Sequence, residues 1–332
     1  MIMHPGIIAL SLGSLVVAFL VLYGSAHGIR IVRHWDLRSG SELQLGLERQ
    51  TYLISTVMSY AFSFQLFSLF LFIFTADKVS CLFVGAMCAA GTLHVNGYGY
   101  PALSLKIINF IFGGIWLILN FTDNRAIDYP LIKKKYLFLL ALAPLIVAET
   151  IFQGAYFLKL DAHVITSCCG SLFSPEGKGV GAILPALPVA PVRAVFFASI
   201  LCTSASGIFF IRKQTAATGY LFSFLSAVTF VVCIIALISF ISLYFYELPT
   251  HHCPFCILQG EYSYVGYPLY LSLLGAAVAG ISTGLLMPAR STPSLKNILP
   301  PILRSLTLTA ISLYLIFTLI SLWAMTFTDF RL

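Results

Sequence analysis

The chain has 332 residues, of which 59% are hydrophobic and only 9% are charged, whereas a soluble globular domain carries about 25% charged residues. This composition excludes a soluble globular protein and predicts one whose partner is the lipid bilayer. The formal net charge of +7 does not indicate nucleic-acid binding, because the basic residues form short clusters between apolar segments, as in membrane proteins.

Eight apolar segments each reach the roughly 20 residues that a helix needs to cross a bilayer. They predict an all-α fold, namely a polytopic integral membrane bundle of about eight transmembrane helices. The first segment has no Lys or Arg before it and is followed by Arg30 and Arg33, so we expect a retained anchor rather than a cleaved signal. The predicted segments are 6–27, 51–76, 101–121, 136–158, 193–212, 219–246, 267–287 and 305–328.

The basic clusters predict the orientation of these segments. Clusters follow the first, third, fifth and seventh segments and hold most of the 19 Lys and Arg residues. Because Lys and Arg concentrate in cytoplasmic loops, the sequence predicts a multi-pass protein of the inner (cytoplasmic) membrane with both termini outside. The clusters are Arg30, Arg33, Arg38 and Arg49; Arg125 and Lys133 to Lys135; Arg212 and Lys213; and Arg290, Lys296 and Arg304.

A short echo between two outer loops suggests two four-helix halves. In each loop a cysteine precedes a Gly-Tyr-Pro sequence, and the proline opens the next apolar segment, where its missing N–H is tolerated. We therefore expect a first half at 1–158, an outer loop at 159–192 and a second half at 193–332. The two echoing sequences are Gly99-Tyr100-Pro101 and Gly266-Tyr267-Pro268.

Six of the eight cysteines fall in predicted outer loops, as three sequence-local pairs. Cys202 and Cys233 alone lie within apolar segments, where packing is their expected role. Outer loops are also where disulfides persist. The loop pairs are Cys81 with Cys88, Cys168 with Cys169, and Cys253 with Cys256.

The sequence His251-His252-Cys253-Pro254-Phe255-Cys256 carries the strongest chemical signal. A C-x-x-C motif at the start of a helix lowers the pKa of a thiol, and the thiolate is the reactive form. An imidazolium at His252 would add to this effect. We predict Cys253 as the more accessible, attacking thiol and Cys256 as the resolving one.

This segment resembles membrane thiol-disulfide oxidoreductases of the DsbB and vitamin K epoxide reductase type, which carry C-x-x-C at the outer end of a membrane helix. Cys81, Cys88 and the following Gly-Tyr-Pro extend the resemblance to a second outer loop. It implies electron exchange with a periplasmic thiol protein or a quinone. Cys81 with Cys88, or Cys168 with Cys169, would pass the disulfide on.

Two other functions stay open at this point. Thiolate and imidazole groups suit soft metals such as zinc and copper, so the chain is alternatively a soft-metal transporter or metal-handling protein. His251, His252, Cys253 and Cys256 would then be ligands, with His94 and His163 on the same face. The third alternative is an accessory subunit of a respiratory membrane complex whose cysteines form inert disulfides. Covalent haem is not expected, because C-x-x-C-H is absent.

Five polar residues lie at comparable depth within the first four segments, namely Gln65, Lys106, Asn109, Glu149 and Gln153. An isolated charge at mid-membrane costs about 2.5 to 3.5 kcal/mol, so such residues face partners or water. We expect Lys106 and Glu149 to pair with each other. A quinone head-group pocket, an ion path and a structural hydrogen-bond network would all use these groups.

Overall fold

The described part of the chain is helical in a computed structural model, and no strand occurs among the residues it covers. Eight of its helices are long and apolar enough to cross a membrane, which confirms the predicted all-α polytopic bundle. The residues that the structure describes are 3–36, 41–161, 163–166, 173, 183–328 and 330. The vicinal pair Cys168 and Cys169, and most of the predicted loop at 159–192, lie outside them.

The helices match the predicted segments, with ends that extend a few residues further in most cases. The largest difference is α2, which begins at Glu42 rather than at 51 because the polar residues before the apolar segment continue the helix. The helices are α1 (Pro5–His34), α2 (Glu42–Val79), α3 (Ala89–His94), α4 (Gly99–Asp123), α5 (Ile132–Leu158), α6 (Val189–Lys213), α7 (Ala216–Ala236), α8 (Ser242–Tyr246), α9 (Gly266–Leu285) and α10 (Leu299–Phe327).

Local sequence explains several of these helix ends. Pro5 opens α1, and the ring of His4 accepts a hydrogen bond from Gly6 N at 3.2 Å, which satisfies one of the unpaired donors of the first turn. Between α6 and α7, Gln214 adopts a left-handed conformation with φ of 46°. Thr215 then caps α7 through its side chain, so the two helices meet in a tight turn.

The chain forms two compact units. Unit 1 consists of Met1–Phe72, Asn96–Leu160 and Pro288–Leu303. Within it α5 packs against both α1 and α4. A Cβ atom at Gly28 would lie 3.1 Å from Cδ1 of Tyr136, so a glycine lets α1 approach α5 closely. Buried apolar residues of α1, α2, α4 and α5 form its core, among them Val21, Phe62, Trp116 and Leu139.

Unit 2 consists of Ile73–Val95, Asp161–Met287 and Arg304–Leu332. Within it α7 packs against α6 and α9, and Phe222, Ala279 and Ala310 belong to one buried cluster. Helix α7 continues through a π-helical turn, Leu237–Ile241, into α8. Such turns are rare in proteins, and those that do occur are often found at functional sites. This one lies next to the chain that carries the C-x-x-C motif.

The outward faces of the helices are apolar. Phe19, Phe67, Leu201, Phe224 and Trp323 are all exposed, although a soluble protein rarely exposes large contiguous apolar surfaces. In a bilayer these side chains contact lipid. The predicted division into halves at 1–158 and 193–332 stays a prediction.

Candidate metal centre

Three cysteines from two loops of unit 2 meet at one buried point. Cys88 directly precedes α3, in an extended conformation. Cys253 follows the end of α8, and Cys256 opens a short 3-10 turn, Cys256–Leu258. The Sγ atoms of the three residues all lie within 4.8 Å of one another. Sequence reasoning had placed Cys88 with Cys81 instead.

Two thiols from different loops are in contact. The Sγ atoms of Cys88 and Cys253 are 3.6 Å apart, which is too long for a disulfide, in which they lie about 2.05 Å apart. Cys253 Sγ also accepts a hydrogen bond from Phe255 N at 3.5 Å. The backbone of the motif therefore turns around this sulfur and directs it toward Cys88.

The burial of the thiols corrects one prediction. Cys88 and Cys253 are 0% exposed, whereas Cys256 is 5% exposed. The prediction that Cys253 is the more accessible thiol is wrong, because the chain of the C-x-x-C motif folds inward. Cys253 is therefore closed to solvent in this conformation.

The sequence suggested that the motif lies at the start of a membrane helix, but the structure places it before that start. A 3-10 turn at Cys256–Leu258 is followed by a second one, Gly260–Tyr262, and α9 begins only at Gly266. Ser263, with φ of 53°, adopts a left-handed conformation that ends the second 3-10 turn before α9 begins. The predicted lowering of a thiol pKa by a helix N-terminus therefore has no helix of sufficient length to act through.

The two histidines of the motif make different contacts. His251 Nε2 lies 3.4 Å from Cys256 Sγ, and its ring packs edge-on against Tyr246 with centroids 4.5 Å apart. His252 instead donates from Nδ1 to Ile238 O, in the π-helical turn, at 3.0 Å. The Nδ1 atom of His252 is thus held against the π-helical turn, and its predicted role as a metal ligand stays a prediction. His251 is the histidine whose contact with the sulfur cluster the structure shows.

Burial lowers the pKa of His252 from its ordinary value of 6.5, although hydrogen bonds to the carbonyls of Ile238 and Ser239 oppose the shift. The neutral ring is therefore favoured in the folded state. A neutral His252 adds no positive charge beside the thiols. Its visible role is to satisfy carbonyl groups that the π-helical turn frees from the regular helix pattern.

Two tyrosines hold the motif in place. The hydroxyl of Tyr246 donates to Cys253 O and accepts from Ile257 N at 2.9 Å, so it joins both ends of the C-x-x-C chain. Tyr270, in α9, donates to Pro254 O. These residues carry no sequence signal of their own, because tyrosine is common in membrane proteins.

Gln259 joins the two loops that carry the cysteines. Its Nε2 donates to Asp77 Oδ1 at 2.8 Å and to Met87 O at 2.9 Å. Met87 is the neighbour of Cys88, so this single side chain fixes the position of one loop against the other. Sequence reasoning missed Gln259, although a polar residue just after C-x-x-C was a usable signal.

Among the residues that the structure describes, the other cysteines lie outside the sulfur cluster. Cys81 is exposed, with its thiol directed at Lys78 O at 3.2 Å, and the predicted Cys81–Cys88 pair is not formed. Cys202 is exposed on α6, and Cys233 is buried on α7. Cys168 and Cys169 lie outside the described residues, so their predicted role stays a prediction.

Four of the five polar residues predicted within the first four segments meet in unit 1, whereas Gln153 donates to Leu10 O and Ser14 Oγ of α1. Lys106 Nζ lies 2.7 Å from Glu149 Oε1, and both side chains are 1% exposed. Glu149 Oε2 accepts hydrogen bonds from Gln65 and from Asn109. Ser68 Oγ accepts from Lys106 at 3.1 Å. The expected pairing of Lys106 with Glu149 is confirmed, while the predicted quinone or ion pocket stays a prediction.

Sequence reasoning missed a second buried ion pair in the same unit. Lys135 Nζ lies 2.9 Å from Asp123 Oδ2, and both side chains are 0% exposed. Asp123 Oδ1 also accepts from Leu131 N at 2.8 Å. Lys135 was interpreted only as part of a basic cluster, although Asp123 at the end of the preceding segment was a visible partner.

The sulfur cluster and its histidine can act chemically in two ways. Three thiols and one imidazole are the donor set of many zinc sites, and two thiols in contact can also be oxidised to a disulfide. No known protein family, curated protein or solved structure matches this chain.

Proposed function

We propose that the protein is a metal-handling membrane protein that binds a soft metal ion, Zn²⁺ or Cu⁺, through Cys88, Cys253 and Cys256. His251 supplies the fourth ligand. The observation that carries this proposal is the convergence of three buried Sγ atoms within 4.8 Å, contributed by loops that are 165 residues apart in sequence. With the predicted topology, the site lies at the outer end of the helices.

The distances fit a tetrahedral ion. Zinc bonds thiolates at about 2.3 Å, so two sulfurs in a tetrahedral site lie roughly 3.8 Å apart. Cys88 and Cys253 have an Sγ separation of 3.6 Å, and the remaining sulfur pairs are within 4.8 Å. Side-chain rotations that move each Sγ atom by about one ångström would bring all three thiolates to bonding distance of one ion.

Burial gives the second argument. A buried charged group is costly unless it is paired or coordinates a metal, and thiolates are the form that binds metal. Cys88 and Cys253 are 0% exposed. A cation at the centre of the cluster would compensate the thiolates, and the hydrogen bonds of Tyr246 and Gln259 would hold the ligands in place as outer-shell partners do.

Metal analysis of the purified full-length protein tests the proposal. We expect one Zn²⁺ or Cu⁺ ion per chain in the wild type and little metal in Cys253→Ser. Cys81→Ser is the matched control, because Cys81 lies in the same loop as Cys88 but is exposed and outside the cluster. Loss of metal in both variants, or in neither, would contradict the assignment.

Titration with Co²⁺ separates loss of ligands from loss of folding. Cobalt bound by thiolates absorbs light through sulfur-to-metal charge transfer, and the absorption grows with the number of sulfur ligands. His251→Ala should keep this absorption while it weakens Zn²⁺ binding, since three thiolates remain. If His251→Ala and Cys256→Ser lost the same absorption, the assigned ligand set would be wrong.

Thiol-disulfide exchange is a second candidate, favoured by the 3.6 Å contact between Cys88 and Cys253. Their oxidation to a disulfide would release two electrons and two protons, which would reduce the disulfide of a partner protein to two thiols. Alkylation followed by mass spectrometry separates the two candidates. Thiols that react only after a chelator is added indicate metal, whereas a reducible Cys88–Cys253 bond indicates exchange.

A further inference from the structure

A groove runs between α1 and α2 in unit 1, at the end of these helices that carries the basic residues. It consists of two adjoining cavities that share Gln50. The first has a volume of 240 Å³, and its walls include Leu20, Leu53 and Val57. The second has a volume of 410 Å³ and is lined by Arg30 and His34 among other residues. A largely apolar cavity, referred to below as the apolar channel, therefore lies beside a basic one, referred to as the mouth.

The positive charge of Arg30 at the mouth has no ion-pair partner among the residues that the structure describes. Arg30 and His34 are both exposed, and they lie one helical turn apart, so they share a face of α1. The ring of His34 is placed by a 3.2 Å contact between its Nδ1 and Arg30 O. The two ion pairs found in the described part of the chain join Lys106 to Glu149 and Lys135 to Asp123, so neither of them involves Arg30.

An apolar cavity next to a basic one favours the binding of an amphipathic anion. Ligand cavities commonly have volumes of about 300 to 1,000 Å³ and mix apolar walls with a few polar groups. Basic pockets between membrane helices on the cytoplasmic side bind anionic lipid head groups, and the predicted orientation puts Arg30 on that side. A quinone would fill the apolar part, but its head group carries no charge for Arg30 to meet.

We propose that this groove binds an anionic phospholipid. The phosphate of the head group lies at Arg30 and His34, and one acyl chain lies along Leu20, Leu53 and Val57. Gln50, where the two cavities join, offers an amide to the ester region between phosphate and chain. This assignment does not depend on the cysteine site, so the result of the metal analysis does not affect it.

Native mass spectrometry of the full-length protein in detergent tests this assignment. The protein is titrated with phosphatidylglycerol and with phosphatidylcholine that carry the same acyl chains. We expect tighter binding of phosphatidylglycerol, and Arg30→Gln should weaken it about fivefold, the effect of one basic residue near an anionic lipid. Arg33→Gln, an equal change of charge at an exposed position of the same helix outside the groove, should leave it unchanged.

A second variant tests the space rather than the charge. Gly46 lines the basic cavity, and a Cβ atom there would meet nothing within 4 Å. Gly46→Phe should therefore be tolerated by the fold while it fills the cavity, and it should weaken the binding of both lipids.

Three results would overturn the proposal. The first is equal affinity for the two lipids in the wild type. The second is an equal loss of affinity in Arg30→Gln and Arg33→Gln, which would reduce the effect to general surface charge. The third is displacement of phosphatidylglycerol by glycerol phosphate without acyl chains at the same concentration, since the apolar channel would then contribute nothing.

Discussion

Replacing Glu149 with glutamine tests the buried ion pair of unit 1. The substitution keeps the shape of the side chain and one acceptor oxygen, but it removes the charge that faces Lys106 Nζ at 2.7 Å. It also puts an amide NH₂ group near the amide donors of Gln65 and Asn109, which now donate to Glu149 Oε2. The ammonium group of Lys106, which is 1% exposed, is left without an opposite charge.

The expected loss of stability is large. Removing one partner of a buried ion pair typically costs about 3 to 5 kcal/mol, because the other charge stays buried. At roughly 2 to 4 °C per kcal/mol for domains of 150 to 250 residues, the apparent melting temperature should fall by about 6 °C or more. Thermal unfolding of the purified protein in detergent measures this change.

The double variant Lys106→Met/Glu149→Leu separates charge from packing. Because both charges are removed together, it should be clearly more stable than Glu149→Gln, as buried pairs replaced by apolar residues often cost little. Lys159→Met is the matched control, since Lys159 contacts Tyr98 OH in an exposed hydrogen bond. A Glu149→Gln protein as stable as the wild type, or a double variant less stable than the single one, would refute the reasoning.

Further predictions concern the sulfur site and the topology. Because the pKa of His252 is lowered from 6.5, the unfolded chain binds a proton that the folded protein does not. Stability should therefore be full above about pH 6.5 and fall as the pH drops toward the lowered value. Thermal unfolding across this range should show a flatter profile in His252→Gln, and an unchanged profile would contradict this role. Gly266→Ala should weaken the C-x-x-C turn by about 1 to 3 kcal/mol, since a Cβ atom there would lie 2.9 Å from a backbone oxygen of that turn. Gly97→Ala, with nothing within 4 Å, should be neutral in the same unfolding assay. Reporter fusions should place Lys134 inside and Leu248 outside, and the reverse result would invert the orientation.

The local properties of the sequence were sufficient for the architecture. The length and apolarity of a segment decide whether it can span a bilayer, since every backbone polar group in lipid must be satisfied within a helix. The pairing of Lys106 with Glu149 could be predicted from the sequence for a similar reason, because an isolated charge at that depth in the membrane is costly. Helix ends were less accurate, as at α2, where helical structure continues beyond the apolar segment.

The composition of the cysteine site was decided by the tertiary structure. The motif at Cys253 was visible in the sequence, but its partner had to be chosen between Cys81 and Cys88, both in one loop. Helix packing and the hydrogen bonds of Gln259 bring Cys88 to the motif and leave Cys81 exposed. The choice between His251 and His252 depends on the direction in which each adjacent side chain leaves the backbone. Sequence spacing does not specify that direction, because the loop is irregular and has no fixed period.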